Sequence, residues 1–491
     1  MKLKIEDLKI EKRAFINGEY VAACNGAVIS RTSSADGRDI SGLSACGAED
    51  INHAVAVARK SFSSRVWTDK EPGEKKAVLL RLADLIEEHR EEIALLDCVE
   101  TGRALKNCYY DSIPKAIEAM RYFAESIDKQ YDHAILPRKN AFATITREPL
   151  GVVGLITPWN DPMVVSVWKL APALLMGNSV VLKPAEQSSF SLIRVAALAK
   201  EAGIPDGVVN VVPGYGECAG KALALHLDVD GIFFTGSSQV GKLIMSYAGE
   251  SNMKKVGLEC GGKSAFVVSS KCGDLKEAAA VLARNVFYNQ GQICSAPSRL
   301  IIEKSNKDLF VSCLLAEEER YRPGNPFDIS NEVGCLVSQE QRERVLAYIQ
   351  AGLDSGARLL TPEQGKPPPG RVCVSPAIFD GVAPDSILAQ EEVFGPVLAI
   401  ISVGSIAQAV EVANSTRYGL AASIWTDDMD EAYQVSRLLK AGLVHINSYG
   451  DDDNSVPFGG VKESGIGKDK SVFAFDEYSE LKTTWIKYRS L

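Results

Sequence analysis

Two short segments of this chain carry residues able to do covalent chemistry. Gly291-Gln292-Ile293-Cys294-Ser295 offers a nucleophile, and Leu258-Glu259-Cys260-Gly261-Gly262-Lys263 offers a base. Cys294 and Glu259 stand 35 residues apart, with one predicted helix between them. Cysteine is the best neutral-pH nucleophile among the side chains, because part of it is already thiolate and sulfur is intrinsically reactive. A glutamate in a glycine-rich turn can approach a bound water without a bulky neighbour in the way. The pairing suits a reaction that makes a thioester and then hydrolyses it. Of the 11 cysteines, all but Cys294 read as small buried hydrophobes.

Four further motifs accompany these two: Pro158-Trp159-Asn160, Lys183-Pro184-Ala185-Glu186, Phe234-Thr235-Gly236-Ser237 and Glu392-Val393-Phe394-Gly395-Pro396. Taken together and in this order, the set resembles the aldehyde dehydrogenase superfamily, over the chain from about residue 15 to the C-terminus. A lone Gly-Gln-x-Cys would have been a weak signal. The resemblance implies that Cys294 attacks an aldehyde carbon and creates a tetrahedral alkoxide. Such an alkoxide needs donors where its charge develops, and losing one typically costs ~2.7–4 kcal/mol of barrier. The implied donors are the Asn160 amide and the Cys294 backbone N–H. In isolation, Asn160 reads equally well as a turn residue before Asp161-Pro162. Collapse of the alkoxide then sends hydride to a nicotinamide and leaves an acyl thioester on Cys294. Glu259 is implied as the base that activates water for its hydrolysis, and it can also help deprotonate the thiol.

The same resemblance implies a dinucleotide cofactor. Lys183 and Glu186 are placed on the adenosine ribose. A carboxylate there accepts hydrogen bonds from both hydroxyls and repels a 2′-phosphate, so NAD is the expected cofactor and NADP the poorer alternative. The usual Gly-x-Gly-x-x-Gly fingerprint is absent. Instead Thr235-Gly236-Ser237-Ser238-Gln239-Val240-Gly241 follows an apolar strand and opens a helix. A helix N-terminus can hold pyrophosphate through its backbone N–H groups and dipole. Alone, this is an ordinary strand-to-helix turn; the resemblance makes Gly236 and Ser237 cofactor contacts, with Gln239 a departure from the family's frequent glutamate. Trp159 is expected along the cofactor, Glu392 on the nicotinamide ribose and Phe394 beside the ring.

The elements that must position these residues show in the hydrophobic pattern. Segments 49–64, 74–96 and 113–124 carry apolar residues at helical spacing. From Gly151 the pattern changes to strands at 151–156, 179–183, 208–212 and 231–235, alternating with helices at 163–176, 188–201 and 217–225. Such alternation implies a parallel sheet covered on both faces, and so an α/β fold with a doubly wound, Rossmann-like cofactor domain. A second alternating segment runs from Lys263 to Thr426. The expected division is a discontinuous cofactor domain (1–130 and 149–261), a catalytic domain (262–465), and a small β oligomerisation element (131–148 and 466–491). In the family that element pairs subunits, and Ala141-Phe142-Ala143-Thr144-Ile145-Thr146 alternates like an edge strand that needs a partner.

Bulk properties narrow the class. A chain of 491 residues exceeds one ordinary core. With 46% hydrophobic and 24% charged residues it reads as an ordinary globular protein. The net charge of -9 and the lack of a basic run argue against nucleic acid as a partner. No apolar run approaches the ~20 residues that span a bilayer, and the charged start does not read as a secretory signal. Scattered cysteines, with no Cys-x-x-Cys and no zinc spacing, fit reduced thiols in a cytoplasmic protein without a metal. A homo-oligomer is expected, a tetramer before a dimer.

Within the superfamily, the closest resemblance is to bacterial dehydrogenases of amino- and guanidino-aldehydes, including γ-glutamylated aminobutyraldehyde. It is carried by Val456-Pro457-Phe458-Gly459-Gly460, Ser464-Gly465-x-Gly467-x-Asp469-Lys470-Ser471, Glu480-Leu481-Lys482-Thr483 and Ser251-Asn252-Met253-Lys254. By resemblance, Asp451-Asp452-Asp453 falls in the loop at the tunnel mouth, and Trp168 and Phe458 wall the substrate tunnel. Asp161 stands where most relatives have an aromatic residue. Carboxylates in place of rings attract a cationic tail and solvate a fatty chain poorly. The expected substrate is therefore a small ω-amino or guanidino aldehyde bound tail-outward, with a neutral aliphatic or aromatic aldehyde as the alternative. The three aspartates read equally as a solvated acidic turn. Asp161 can fix a cation, bind a hydroxyl-rich substrate, or hydrogen-bond its own backbone before Pro162. A CoA-acylating relative is disfavoured by Glu259, and a catalytically silent binding protein by the intact set Asn160, Glu259 and Cys294.

Overall fold

The computed structural model describes Leu3, residues 5–362 and residues 364–489. Two large sheets organise the chain. The first has eight strands in the order Gly465–Ile466, Lys255–Glu259, Gly231–Thr235, Val152–Thr157, Ser179–Pro184, Val209–Val211, Ala14–Ile16 and Glu19–Val21. Its five central strands are mutually parallel, and the outer ones join antiparallel. Both faces are buried. Val153, Leu155, Val180 and Leu182 pack into one apolar layer, and Val152, Ile156, Val181 and Ile232 into the other. This is the doubly wound arrangement expected from the alternating pattern.

Strand order reverses at Val152–Thr157. The chain leaves it toward Ser179–Pro184 on one side, and later returns to Gly231–Thr235 on the other. Ligands of such sheets bind in the crevice beyond the carboxyl ends of the strands at that point. Trp159 and Asn160 follow the first of these strands, Glu186 the second and Gly236 the third, while Glu259 closes the neighbouring strand.

The second sheet has seven strands, Arg358–Leu359, Ala377–Asp380, Val397–Val403, Arg299–Glu303, Ala265–Val268, Ala421–Trp425 and Leu443–Ile446. All but the first run parallel. Its alternate residues also feed two apolar layers, Val267 and Ile301 against Phe266 and Leu300. A third, antiparallel sheet joins Ser479–Lys487, Ala141–Pro149 and His133–Arg138.

Three helices depart from the expected pattern. The single helix at 74–96 is two, Pro72–Glu88 and Arg90–Thr101, broken at His89. The imidazole there meets the Glu92 carboxylate at 3.0 Å and the Arg194 guanidinium at 3.2 Å, a side-chain network that pins the break. The helix expected from 188 opens at Phe190. The N–H groups of Ser189 and Phe190 donate to the buried Glu100 carboxylate at 3.0 and 2.6 Å, so a remote residue caps it. The helix at 217–225 begins as a wide π turn, Gly216–Gly220.

Candidate active site

Cys294 sits after a tight turn, Tyr288–Gly291, in which Asn289 and Gln290 adopt left-handed conformations at φ 49° and 57°. Gly291 continues it at φ 68°, where a Cβ would stand 2.2 Å from the Gly395 carbonyl oxygen. Two buried glutamines brace this loop. Gln290 exchanges hydrogen bonds with the Val374 backbone, both at 3.0 Å. Gln292 accepts from Val337 N–H and donates to the Asn289 carbonyl, each at 3.0 Å. Burial pushes the Cys294 thiol up to about 12, and the Glu392 and Glu259 carboxylates add to the rise. Attack on a carbonyl therefore needs a proton acceptor at hand.

Cys294 opens onto a cleft of about 220 Å³ that also holds Trp159, Asn160, Gly236, Ser237, Glu392 and Phe394. The structure thus brings seven expected site residues together. Asn160 is buried; its Nδ2 donates to the Gln292 carbonyl at 3.0 Å, and its own carbonyl accepts from Asn289 Nδ2 at 3.0 Å. Trp159 and Phe394 pack edge to face with centroids 5.3 Å apart and together line one side of the cleft. Glu392 accepts from Gly262 N–H at 3.0 Å, and burial raises its carboxyl to about 7. Ser237 caps the helix Ser238–Glu250 through the Val240 N–H. The backbone at that helix start is a donor set for an anion.

Lys183 and Glu186 lie outside this cleft. Lys183 is buried with its Nζ 3.3 Å from Glu186 Oε2. Burial lowers the ammonium's pKa, and Glu186 opposes the shift. Glu186 lines an adjoining cavity of about 360 Å³ with Arg31 and Tyr215. Arg31 holds that corner, donating to the carbonyls of Glu186, Gln187 and Glu100.

Glu259 does not line the Cys294 cleft either. It faces a small space bounded by Lys169, Lys468, Asp469 and Glu477. Neither of its carboxylate oxygens has a hydrogen-bond partner among the described residues. Burial, and then the like charge of Asp469, hold its carboxyl well above the ordinary range; Lys169 and Lys468 pull the other way. A Cβ on Gly459 would stand 2.3 Å from Glu259 Oε1, so glycine there keeps the space the carboxylate uses.

The expected substrate residues require a correction. Trp168 and Phe458 pack against one another, centroids 5.3 Å apart, but neither lines the Cys294 cleft. Nor are the carboxylates free negative charge. Asp161 Oδ1 lies 2.8 Å from Arg103 Nη1. Asp452 Oδ2 accepts from Lys470 Nζ at 2.5 Å, and that ammonium also lies 5.5 Å from the centre of the Trp168 ring. Asp451 is exposed, 3.7 Å from Arg284. Each pairing joins residues with no local sequence relation, which is why the charge looked unmatched. Arg103, Gln341 and Arg344 were also missed. The latter two project from the helix Gln339–Asp354 into the cleft, and nothing in their local sequence marks them.

A cleft that gathers one cysteine, an amide and two aromatic rings at the switch point of a doubly wound sheet is where a dinucleotide-dependent enzyme of this fold class binds its ligands. Comparison with known proteins makes this specific. The model described as "Aldehyde dehydrogenase family" matches residues 20–484. The chain belongs to this family and is an NAD(P)-dependent aldehyde dehydrogenase. It is 44% identical over 483 residues to the NADP/NAD-dependent aldehyde dehydrogenase PuuC of Escherichia coli, covering 98% of this chain and 97% of that one. Among solved structures, it is similar to a variant of the AldA indole-3-acetaldehyde dehydrogenase of P. syringae in complex with NAD+ and IAA. There the TM-score is 0.97 and the identity 46%, over 98% of each chain. It is likewise similar to the gamma-glutamyl-gamma-aminobutyraldehyde dehydrogenase of Burkholderia cenocepacia. That match has TM-score 0.96 and 46% identity, over 99% of this chain and 98% of that one.

Proposed function

We propose that this enzyme oxidises small ω-aminoaldehydes to carboxylic acids through a thioester on Cys294, with NAD as its cofactor. The observation that carries the chemistry is the shared cleft, which Cys294 and Asn160 line together with Trp159, Glu392 and Phe394. Cys294 attacks the aldehyde carbon, its thiol proton passing to the Glu259 carboxylate. The Asn160 amide and the Cys294 N–H hold the alkoxide charge, while Glu392 would hold the nicotinamide ribose and Phe394 would pack beside the ring. Bound NAD supplies the hydride acceptor. Glu259, once ionised, takes a proton from the water that cleaves the thioester. Its raised pKa makes it a strong base for that step. Lys183 and Glu186 hold the adenosine ribose, and Gly236 and Ser237 the pyrophosphate.

The substrate class draws support from the B. cenocepacia relative. A second reading, a neutral aromatic aldehyde, is favoured by carboxylates already matched with cations. We assign the division at residues 130, 148, 261 and 465 given above, and a cytoplasmic homotetramer. The exposed apolar residues Leu136, Leu481 and Trp485 of the third sheet support self-association. Light scattering on the purified protein tests that state, and a monomer would reject it.

The substrate experiment is NADH formation across 4-aminobutyraldehyde, 4-guanidinobutyraldehyde, a γ-glutamylated aminoaldehyde, hexanal and benzaldehyde, with Cys294→Ala as the blank. Higher kcat/KM for the amino and guanidino members supports the aminoaldehyde reading. Better turnover of benzaldehyde replaces it with the aromatic one. Activity surviving in Cys294→Ala overturns the mechanism.

A further inference from the structure

Arg103 joins the two segments that carry the proposed alkoxide donors. It follows Gly102, which ends the helix Arg90–Thr101 in a left-handed conformation at φ 73°. Its side chain is 2% exposed. Nη1 reaches Asp161 Oδ1 at 2.8 Å and the Asn160 carbonyl at 3.5 Å. Nη2 donates to the Tyr288 hydroxyl at 2.6 Å. That hydroxyl donates onward to Asp111 Oδ2 at 2.6 Å, and Asp111 is held by Lys115 at 2.9 Å. One planar fork thus grips two consecutive residues of the Asn160 loop and the residue that opens the turn into Cys294. The circuit closes twice more, through Asn289 Nδ2 to the Asn160 carbonyl and through Asn160 Nδ2 to the Gln292 carbonyl, each at 3.0 Å.

Stability is a poor explanation for this arrangement. Burying a cation with its partner carboxylate is often no better than apolar packing of similar volume. Geometry is the better one. A guanidinium holds several acceptors in fixed directions, which an ammonium cannot do. We propose that Arg103, with Asp161 and Tyr288 as its counter-groups, is a positioning residue that fixes the Asn160 amide relative to the Cys294 N–H, so that both donors meet the alkoxide together. The proposal rests on the catalytic reading above. It also accounts for Asp161, whose carboxylate orients the guanidinium where an aromatic residue could not.

A misplacement of about 1 Å in such a site costs roughly 100-fold in rate. The test is Arg103→Lys, made in the native enzyme and in Asn160→Ala, with kcat and the aldehyde KM measured at saturating NAD. In the native background we expect kcat to fall about 10- to 100-fold with KM within about threefold. In the Asn160→Ala background the same change should alter kcat by less than about twofold, because the effect acts through Asn160. An equal factor in both backgrounds, an unchanged kcat, or a loss confined to KM overturns the proposal. If Asn160→Ala keeps native kcat, the catalytic reading itself falls and takes the proposal with it. If Arg103→Lys fails to fold, Tyr288→Phe carries the same test. It removes one hydroxyl and should cost about five- to tenfold in the native background only.

Discussion

Lys169 and Asp469 lie 300 residues apart in sequence and meet at 2.7 Å, with side chains 2% and 6% exposed. At that distance and an effective dielectric of ~20, their attraction is about 6 kcal/mol. Desolvation takes much of that back, but removing one partner strands the other charge, at a cost of about 3–5 kcal/mol. Lys169→Met and Asp469→Asn should each destabilise the fold by that order, and the double change Lys169→Met/Asp469→Leu should recover most of it. Their effects on Glu259 run in opposite directions. Asp469 raises the Glu259 carboxyl and Lys169 lowers it. Asp469→Asn therefore brings ionisation of the base to lower pH, and Lys169→Met sends it higher. A general base works when ionised, so thioester hydrolysis should begin at lower pH in the first variant and at higher pH in the second. The assay is single-turnover rapid quench, following acyl-enzyme decay across the neutral and alkaline range, beside thermal unfolding of the same samples. Two variants that lose stability together while their pH profiles separate would bear out the electrostatics. Profiles that move the same way, or not at all, would refute it.

Three further outcomes follow from the geometry. Glu186→Ala removes the carboxylate and frees Lys183 to meet a 2′-phosphate; the NADP to NAD ratio of kcat/KM should rise about tenfold or more, equivalent to about 1.4 kcal/mol. Gly291→Ala puts a Cβ against the Gly395 carbonyl at a left-handed position; strain of about 1–3 kcal/mol should displace the Cys294 loop, and kcat should fall about 100-fold while NAD binding, read by fluorescence quenching, persists. Burial raises Asp97 from 3.8 to about 7, so the folded chain holds a proton there that the unfolded chain has lost. Stability from this group is therefore full at acid pH and is lost as pH rises toward about 7. Asp97→Asn should lack that loss, so its gain in unfolding temperature over the native enzyme should grow as pH rises from about 4 and level off above about 7; an unchanged difference at acid and alkaline pH would refute it.

The proposed nucleophile, base and cofactor turn stand out in the sequence because each sits in a short run of glycines and chemically distinctive side chains. The parallel sheet was legible because both of its faces are buried, so its strands read as apolar runs. What sequence could not show is pairing at a distance. Asp161 stood out as unusual, yet its meaning depends on Arg103, 58 residues earlier by number, and on Tyr288, far downstream. The acidic loop suggested a cation site only because Lys470 lies 18 residues beyond Asp452. The break at His89 hides inside an uninterrupted helical pattern, since the Arg194 that fixes it belongs to another helix.

The pairing of Glu259 with Gly465 at the edge of the first sheet sets an order in time. The ribosome finishes Cys294 long before it reaches that edge strand. The base, made earlier still, has no lasting environment until the segment 459–469 arrives. That segment supplies the neighbouring edge strand, the glycine that makes room, and Asp469 for Lys169. Until that stretch is made, the thiol exists without the setting of the proposed base. The two residues proposed to act in turn on one thioester are thus completed at different times, the thiol first and the surroundings of the base later.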